Sequence, residues 1–202
     1  MKPRLDFFFF YGSIYTYLAV MRIEKLASSA GLEVRWRPFN LREILIEQNN
    51  TAFVRNPVRM NYCWRDVERR AARHGIGFVP RPPYPVDPDL LALKVGIVAA
   101  SENWCPQYTE ATYRAWFVDH KPPGIGKNVE NVLNALDKPT TETLAKAASS
   151  ETGELLEKET KAARALGIFG SPSVAVGEEL FWGDDRLEEA IEYALNREPG
   201  AH

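Results

Sequence analysis

The sequence lacks the cysteine and histidine patterns that mark redox centres and metal sites. Its two cysteines, Cys63 and Cys105, form no CxxC pair, and its three histidines are not spaced as metal ligands. The chain also has no excess charge of one sign, because 25 Lys and Arg residues stand against 27 Asp and Glu residues and leave a net charge of -2. We therefore expect no metal site, no dithiol centre and no nucleic-acid partner.

Long apolar segments are missing as well, since no stretch approaches the roughly 20 apolar residues of a membrane span. The aromatic run near the N-terminus begins only after Asp6 and meets no small-residue cleavage site, which makes it a poor signal peptide. What is present, 45% hydrophobic and 26% charged residues, is typical of an ordinary globular protein. The sequence thus favours a cytoplasmic protein with a substantial core and no membrane partner.

The beginning of the chain has the pattern of a strand, a helix and a second strand. Residues 5–11 form an aromatic run, typical of a central strand that is buried on both faces. Ser13 stands where a helix N-cap belongs, and apolar residues keep a helical spacing until Gly31. Residues 32–38 then alternate like a strand, and the short crossover predicts a parallel βαβ unit.

The middle of the chain carries no strand pattern and predicts only helices. Asp87 is the expected N-cap of one of them, with Pro88 as its first helical residue. The helical segments are expected at residues 41–48, 58–74, 88–104, 107–118, 127–137, 140–149 and 151–166.

Strand character returns near the C-terminus. Residues 173–176 and 179–182 flank a Gly-Glu pair, a two-residue connection typical of an antiparallel hairpin. A last amphipathic helix follows Asp184 and Asp185. The complete order is therefore βαβ, a long helical insertion and ββα.

This order is that of an α/β thioredoxin fold that carries a large all-helical insertion. We expect a thioredoxin-like domain made of residues 1–40 and 168–202, and a helical insertion domain made of residues 41–167.

Three features fall beside the predicted cleft of such a fold. Ser13 occupies the turn where redox members carry the first cysteine of CxxC, and a hydroxyl at a helix N-terminus can hold an external thiolate. Pro172 stands where this fold places a cis-proline, which exposes the backbone of Ser171 to a peptide-like ligand. Asp184 and Asp185 could receive an ammonium group. Each feature also has a purely structural alternative: a plain N-cap, a trans loop proline and helix capping.

Two terminal stretches and two internal motifs resemble one known family. The start, DFFFFYGSIYTYLA, looks like that family's first strand, catalytic serine and helix, and the end, GIFGSPSVAVGEELFWGDDRLEEAI, looks like its cis-proline strand, hairpin and glutathione-binding turn. The helix motif with Arg59, Tyr62 and Asp66 and the proline-rich loop 83–87 are also similar. The family is that of the 2-hydroxychromene-2-carboxylate isomerases, which belongs with the kappa-class glutathione transferases and the DsbA-like thioredoxin folds.

The resemblance implies that glutathione is a cofactor and indicates which residues contact it. This chain has Ile14 where the family usually has proline, and a serine before the cis-proline where a small apolar residue is commoner. The implied contacts are those of Ser13 with the glutathione sulfur, Asn50 with the tripeptide, Ser171 and Pro172 with its cysteinyl backbone, and Asp184 and Asp185 with its γ-glutamyl end.

The resemblance also implies a small aromatic substrate. Arg59 would pair with a carboxylate of the substrate or of glutathione, and Tyr11, Tyr15 and Tyr84 would form an aromatic wall. The reaction would open the ring of 2-hydroxychromene-2-carboxylate to trans-o-hydroxybenzylidenepyruvate in aromatic compound degradation. Two alternatives stay open, a kappa-like glutathione transferase that conjugates electrophiles and a non-catalytic thioredoxin-fold binding protein. The oligomeric state is open too, with a homodimer as one candidate.

Overall fold

A mixed four-stranded sheet lies at the centre of the part of the chain that the computed structural model describes, residues 4–50 and 56–196. β1 and β2 pair in parallel, whereas β3 is antiparallel to both β1 and β4. The predicted βαβ unit and the C-terminal hairpin are therefore confirmed. The strands are β1 (Arg4–Phe9), β2 (Glu33–Pro38), β3 (Ser173–Val176) and β4 (Glu179–Trp182), in the order β2-β1-β3-β4.

Helices make up most of the chain between β2 and β3, as the sequence predicts. None of the helices in the described residues is long and apolar enough to cross a membrane. Together with the sheet they give the predicted α/β thioredoxin fold with its long helical insertion. The helices are α1 (Ile14–Val20), α2 (Ile23–Ser29), α3 (Leu41–Glu47), α4 (Pro57–Arg73), α5 (Leu91–Ser101), α6 (Cys105–Phe117), α7 (Asn128–Ala135), α8 (Thr140–Ala147), α9 (Ser150–Ala165) and α10 (Leu187–Asn196), with a 3-10 turn (Asp184–Arg186) before α10.

One predicted helix, between Ser13 and Gly31, is two helices in the structure. The break falls at Arg22, whose backbone leaves helical geometry with φ at -126°. Its guanidinium donates to the backbone carbonyl of Asp184 and pairs with the carboxylate of Glu188. Both partners are distant in the sequence, so the spacing of residues within the segment could not show the break.

The helix expected to begin at Pro88 begins at Leu91 instead. Asp87 nevertheless caps it, because its buried carboxylate accepts the N–H groups of Ala92 at 2.9 Å and Leu93 at 3.1 Å. The chain between Asp87 and Leu91 includes a residue in the left-handed region, so the cap reaches the helix from farther away than a usual N-cap. Burial raises the pKa of this carboxyl above its usual value.

The helical insertion and the thioredoxin part share one buried core. Tyr113 on α6 stacks on Tyr11, and Phe117 stacks on Tyr17 of α1 with ring centroids 4.1 Å apart. The Tyr113 hydroxyl also shares its one hydrogen between the carbonyls of Phe10, at 2.9 Å, and Ser13, at 3.2 Å. These contacts fix the start of α1 against the insertion.

Candidate functional site

A cleft of about 1010 Å³ opens beside the start of α1, between α3, α4 and the two proline-containing loops. Most of the residues predicted for the site line it, so the fold brings together positions that lie far apart in the sequence. Those lining residues are Ser13, Tyr15, Asn50, Arg59, Tyr84, Ser171, Pro172, Asp184 and Asp185.

Ser13 stands at the N-cap of α1 but does not cap it with its side chain. Its backbone is extended, with φ at -96° and ψ at 123°, and its hydroxyl donates to the backbone carbonyl of Ser171 at 2.7 Å. The plain N-cap alternative therefore does not describe this hydroxyl. It lies at the positive end of the α1 dipole, and its hydrogen bond joins the start of α1 to the loop before β3.

The peptide bond between Ser171 and Pro172 is cis, as predicted. The Ser171 hydroxyl accepts the N–H of Phe10 at 2.9 Å and forms a hydrogen bond with Oγ1 of Thr16 at 2.7 Å. This side chain thus ties the loop to the end of β1 and to α1, which gives the serine a structural reason at a position where the family more often has an apolar residue.

The acidic end of the cleft contains a buried carboxylate with few partners. Asp184 is only 1% exposed, and Nη2 of Arg70 lies 2.7 Å from its Oδ2. Neither of its carboxylate oxygens accepts a well-aligned hydrogen bond from a described group. Burial raises the pKa of Asp184 to about 7, although the Arg70 guanidinium acts in the opposite direction. Asp185 is more exposed and lies 3.8 Å from the same guanidinium.

The turn that holds Asp184 is attached to the cis-proline loop. The N–H of Gly183 donates to the carbonyl of Pro172 at 3.0 Å, and Gly183 has φ at 117°, a conformation that a side chain would strain. The acidic end therefore keeps a fixed position relative to Ser171.

Arg70 is not among the predicted site residues, although its guanidinium lies close to the carboxylates of both Asp66 and Asp184. It lies four residues after Asp66 on α4, and Asp66 in turn accepts the hydroxyl of Tyr15 at 3.1 Å. Burial, with Cys63 and Asp66 nearby, raises the pKa of Tyr15. The spacing of Asp66 and Arg70 is that of a helical salt bridge and could have identified the pair.

Tyr11 is the one predicted wall residue that the structure places elsewhere. It is fully buried, and its hydroxyl forms a hydrogen bond with Thr109 at 2.8 Å. Its ring packs between Tyr108 and Tyr113 in the shared core. The prediction that Tyr11 contacts the substrate is therefore wrong, because its side chain packs into the core while its neighbours Phe10 and Gly12 line the cleft.

The other half of the cleft is mainly apolar. Tyr84 stacks on Trp116 and donates a long hydrogen bond of 3.4 Å to the carbonyl of Gly12. Burial raises its pKa. Most of the apolar residues that line this half are not among the predicted site residues. They are Phe10, Leu41, Leu45, Pro85 and Val86. Phe169 and Trp182 also line the cleft, but beside the cis-proline loop and the acidic turn.

Neither cysteine supplies a dithiol centre. Cys105 is buried in the core, and burial raises its pKa to about 12. Cys63 is buried on α4 and lines the cleft, but both cysteines are free. Within residues 4–50 and 56–196, no group of three or more His, Cys, Asp or Glu side chains could hold a metal ion.

The model of the DSBA-like thioredoxin domain matches residues 4–196. The chain belongs to this family. It is also 26% identical, over 96% of its length and 94% of the relative's, to the 2-hydroxychromene-2-carboxylate isomerase of Pseudomonas putida. The enzyme of the same name from Sphingobium xenophagum is 26% identical and is covered completely.

Solved structures also resemble this chain. A 2-hydroxychromene-2-carboxylate isomerase superposes with a TM-score of 0.84 at 25% identity, over 95% of this chain and 94% of that one. The cytosolic disulfide reductase DsbM of Pseudomonas aeruginosa, solved with GSH, has a TM-score of 0.62 at 15% identity, with 95% of each chain covered. The latter likeness concerns the fold alone.

Proposed function

We propose that this protein is a glutathione-dependent isomerase that opens the ring of 2-hydroxychromene-2-carboxylate or a close aromatic relative. The observation that carries the proposal is the position of the Ser13 hydroxyl, at the N-terminus of α1 and 2.7 Å from the carbonyl of the residue before a cis-proline. The isomerases to which the chain is similar by sequence and structure support the same reaction.

Glutathione suits the polar half of the cleft. Its γ-glutamyl end carries an ammonium group and a carboxylate, and the cleft offers a buried carboxylate, Asp184, beside the guanidinium of Arg70. Asp184 has two oxygens without a well-aligned donor, which an ammonium group would supply. Asp185 adds a second carboxylate at the rim.

The remaining contacts follow from the residues along the same wall. The backbone of Ser171, next to the cis Pro172, would pair with the cysteinyl unit of the tripeptide, as an edge strand pairs with a peptide. Asn50 and Arg59 are exposed on the opposite wall, where they would contact the tripeptide or a carboxylate.

When bound, glutathione supplies a thiolate that adds to the substrate and later leaves it. Ser13 would donate its hydroxyl hydrogen to that sulfur and, with the N-terminus of α1, favour the thiolate over the thiol. Tyr15 and Tyr84 would flank the aromatic ring, and Tyr84 is held by its stacking on Trp116. The apolar residues of this half exclude water, which strengthens each charge interaction inside it.

The proposal includes a role in aromatic compound degradation in the cytoplasm, with a homodimer as its assembly. A kappa-like transferase that conjugates glutathione to electrophiles is the second candidate, because the apolar half of the cleft would accept other aromatic electrophiles. A non-catalytic binding protein is disfavoured by the buried Asp184 and the positioned Ser13 hydroxyl, which a passive peptide edge does not need.

The test is an assay of the purified protein on 2-hydroxychromene-2-carboxylate, with and without glutathione, and on 1-chloro-2,4-dinitrobenzene as a generic electrophile. We expect catalytic ring opening that requires glutathione but does not consume it, and that Ser13→Ala lowers. Ser28→Ala, a change at an exposed serine outside the cleft, is the matched control. Consumption of glutathione with the electrophile alone would instead assign the transferase activity.

A further inference from the structure

Arg42 is a cleft residue whose guanidinium is held rigidly by neutral groups. It lies in the first turn of α3, and its Nη2 donates to the carbonyl of Val86 at 2.7 Å. Its Nη1 donates to the carbonyls of Asp87 at 2.8 Å and Pro88 at 3.2 Å. A guanidinium has five N–H donors, so these three bonds fix its position and leave donors for a further partner.

The positive charge of Arg42 has no carboxylate in direct contact. Among the described residues, no Asp or Glu oxygen lies within ion-pair distance of its guanidinium, whereas Arg70 in the same cleft pairs with Asp184. The nearby Asp87 directs its carboxylate to the N–H groups of Ala92 and Leu93. Burial raises the pKa of that carboxyl, and the charge of Arg42, which acts on it without contact, lowers the pKa by a smaller amount. A half-buried cation in this position favours an anionic partner from outside the chain.

The surroundings of Arg42 indicate the shape of that partner. Its guanidinium lies over the ring of Phe10, 5.2 Å from the centroid. Leu41, Tyr84 and Val86 complete the nearby wall. A flat, apolar molecule with a carboxylate at one edge would place its ring against this wall and its charge on the guanidinium, whose planar donors match both carboxylate oxygens.

We propose that Arg42 binds the carboxylate of the aromatic substrate and thereby selects aromatic acids over neutral analogues. This inference rests on the proposed function, because it assumes that the apolar half of the cleft receives that substrate. It assigns the substrate carboxylate to Arg42 rather than to Arg59, whose exposed side chain stays available to glutathione.

The experiment measures binding rather than turnover. Chromone-2-carboxylate, a flat and stable acid, and its methyl ester are titrated by calorimetry into the wild-type protein, with and without glutathione. We expect the acid to bind about tenfold to a hundredfold more tightly than the ester, as a charge-assisted hydrogen bond suggests. Arg42→Met should bring the ratio of the two dissociation constants close to one, and Arg42→Lys should retain part of it.

Two variants make the comparison specific. Arg59→Met removes the same charge from another position in the cleft, and Arg114→Met removes it from an exposed position outside the cleft. Both should keep the wild-type preference for the acid. A role of Arg42 that only supports the loop at residues 86–88 would weaken binding of acid and ester alike and would leave the ratio unchanged.

Each outcome decides between the two claims. If the wild-type protein prefers the acid and Arg42→Met preserves that preference, the assignment of Arg42 is wrong while the proposed function stands. If Arg59→Met abolishes the preference, the carboxylate belongs to Arg59. If the wild-type protein binds neither compound although it binds glutathione, the substrate class of the proposed function fails and the Arg42 assignment falls with it.

Discussion

At the scale of single residues, two buried polar side chains carry the proposed binding of a charged tripeptide. Ser13 and Asp184 are both less than a tenth exposed, and both residues line the cleft. In Ser13 the hydroxyl donates to a neighbouring carbonyl, whereas in Asp184 the carboxylate lacks a well-aligned donor. The chemistry of the proposed reaction depends on these two side chains.

Removal of the Ser13 hydroxyl should raise the pKa of the bound glutathione thiol. Because a hydrogen bond to a charged group is worth about 1.5–3 kcal/mol, we expect Ser13→Ala to lower turnover by roughly tenfold to a hundredfold. Glutathione affinity should change much less, since the tripeptide's other contacts remain. The ultraviolet absorbance of the bound thiolate, titrated against pH, measures the effect, and superimposable curves for the two proteins would contradict it.

Ser13→Cys is a complementary change. A thiol at the start of α1 should be acidic and should form a mixed disulfide when the protein is treated with glutathione disulfide, with release of one glutathione. Mass spectrometry of the intact protein detects the adduct. Cys63 and Cys105 are present in both proteins, so the wild-type protein is the control for their reaction.

Glutathione binding should strengthen as the pH rises through about 7, the pKa to which burial raises Asp184. Only the ionised carboxylate attracts the ammonium group, so affinity should level off above this pH. Asp184→Asn should bind glutathione more weakly and should lose the rise in affinity towards pH 7, while Asp185→Asn should keep that rise. Calorimetry between pH 5.5 and 8.5 provides the measurement. A wild-type affinity that does not change with pH in this range would refute the proposed contact of Asp184 with the ammonium group.

The same carboxyl affects stability in the opposite sense. Its folded pKa of about 7 lies above the usual 3.8 of an aspartate, so its contribution to folding is complete below pH 3.8 and is lost as the pH rises to about 7. Asp184→Asn should therefore flatten the decline in unfolding free energy over this interval, as denaturant titrations at several pH values would show. A wild-type decline that persists unchanged in the variant would assign it to other groups.

At the scale of elements, the sequence predicted most of the helices and strands but few of the contacts between them. The hairpin of β3 and β4 was predicted with its correct bounds, because a short strand pattern and a two-residue connection are local features. The break between α1 and α2 was not, because it depends on the contacts of Arg22 with residues near the C-terminus. Local spacing contains no information about such partners.

The candidate site shows the same division. The positions of Ser13 and Pro172 beside predicted strands and helices placed both residues at the predicted cleft. The resemblance to one family then supplied their expected contacts with glutathione. Arg42 is the one arginine of α3 and carries no local signal, because the carbonyls that it contacts are distant in the sequence. Arg70 is one of several arginines on α4, where only its spacing from Asp66 indicates a partner. Tyr11 was placed wrongly because the direction of its side chain depends on how the end of β1 packs against α6.

The remote cap of α5 provides a prediction at this scale. Asp87→Ala removes the acceptor for two buried N–H groups, and we expect it to lower the unfolding free energy by about 1–2 kcal/mol. Asp87→Asn keeps one acceptor oxygen and should lose less. Chemical denaturation of the three proteins measures the difference, and equal midpoints for all three would show that the carboxylate does not support the helix.

At the scale of the whole molecule, the shared aromatic core predicts that the thioredoxin part and the helical insertion unfold together. Far-ultraviolet circular dichroism and tryptophan fluorescence should report one transition with the same midpoint. Phe117→Ala removes a ring that stacks on Tyr17 across the two parts. It should lower the free energy of unfolding by about 3–5 kcal/mol, and both signals should report the same decrease. Two separate transitions in either protein would mean that the parts fold independently.

The hydrogen bond between Ser13 and the Ser171 carbonyl also bears on which thiols the protein acidifies. Ser13 has one hydrogen, so donating it to a sulfur deprives a buried carbonyl of its donor at a cost of about 1–3 kcal/mol. A tripeptide can compensate with its cysteinyl N–H, whereas a simple thiol cannot. Glutathione methylated at that nitrogen should therefore bind with a less acidic thiol than glutathione itself, and equal acidity of the two would exclude this coupling. Backbone recognition and thiol activation would then be a single event, which protects other cellular thiols from reaction in the cleft.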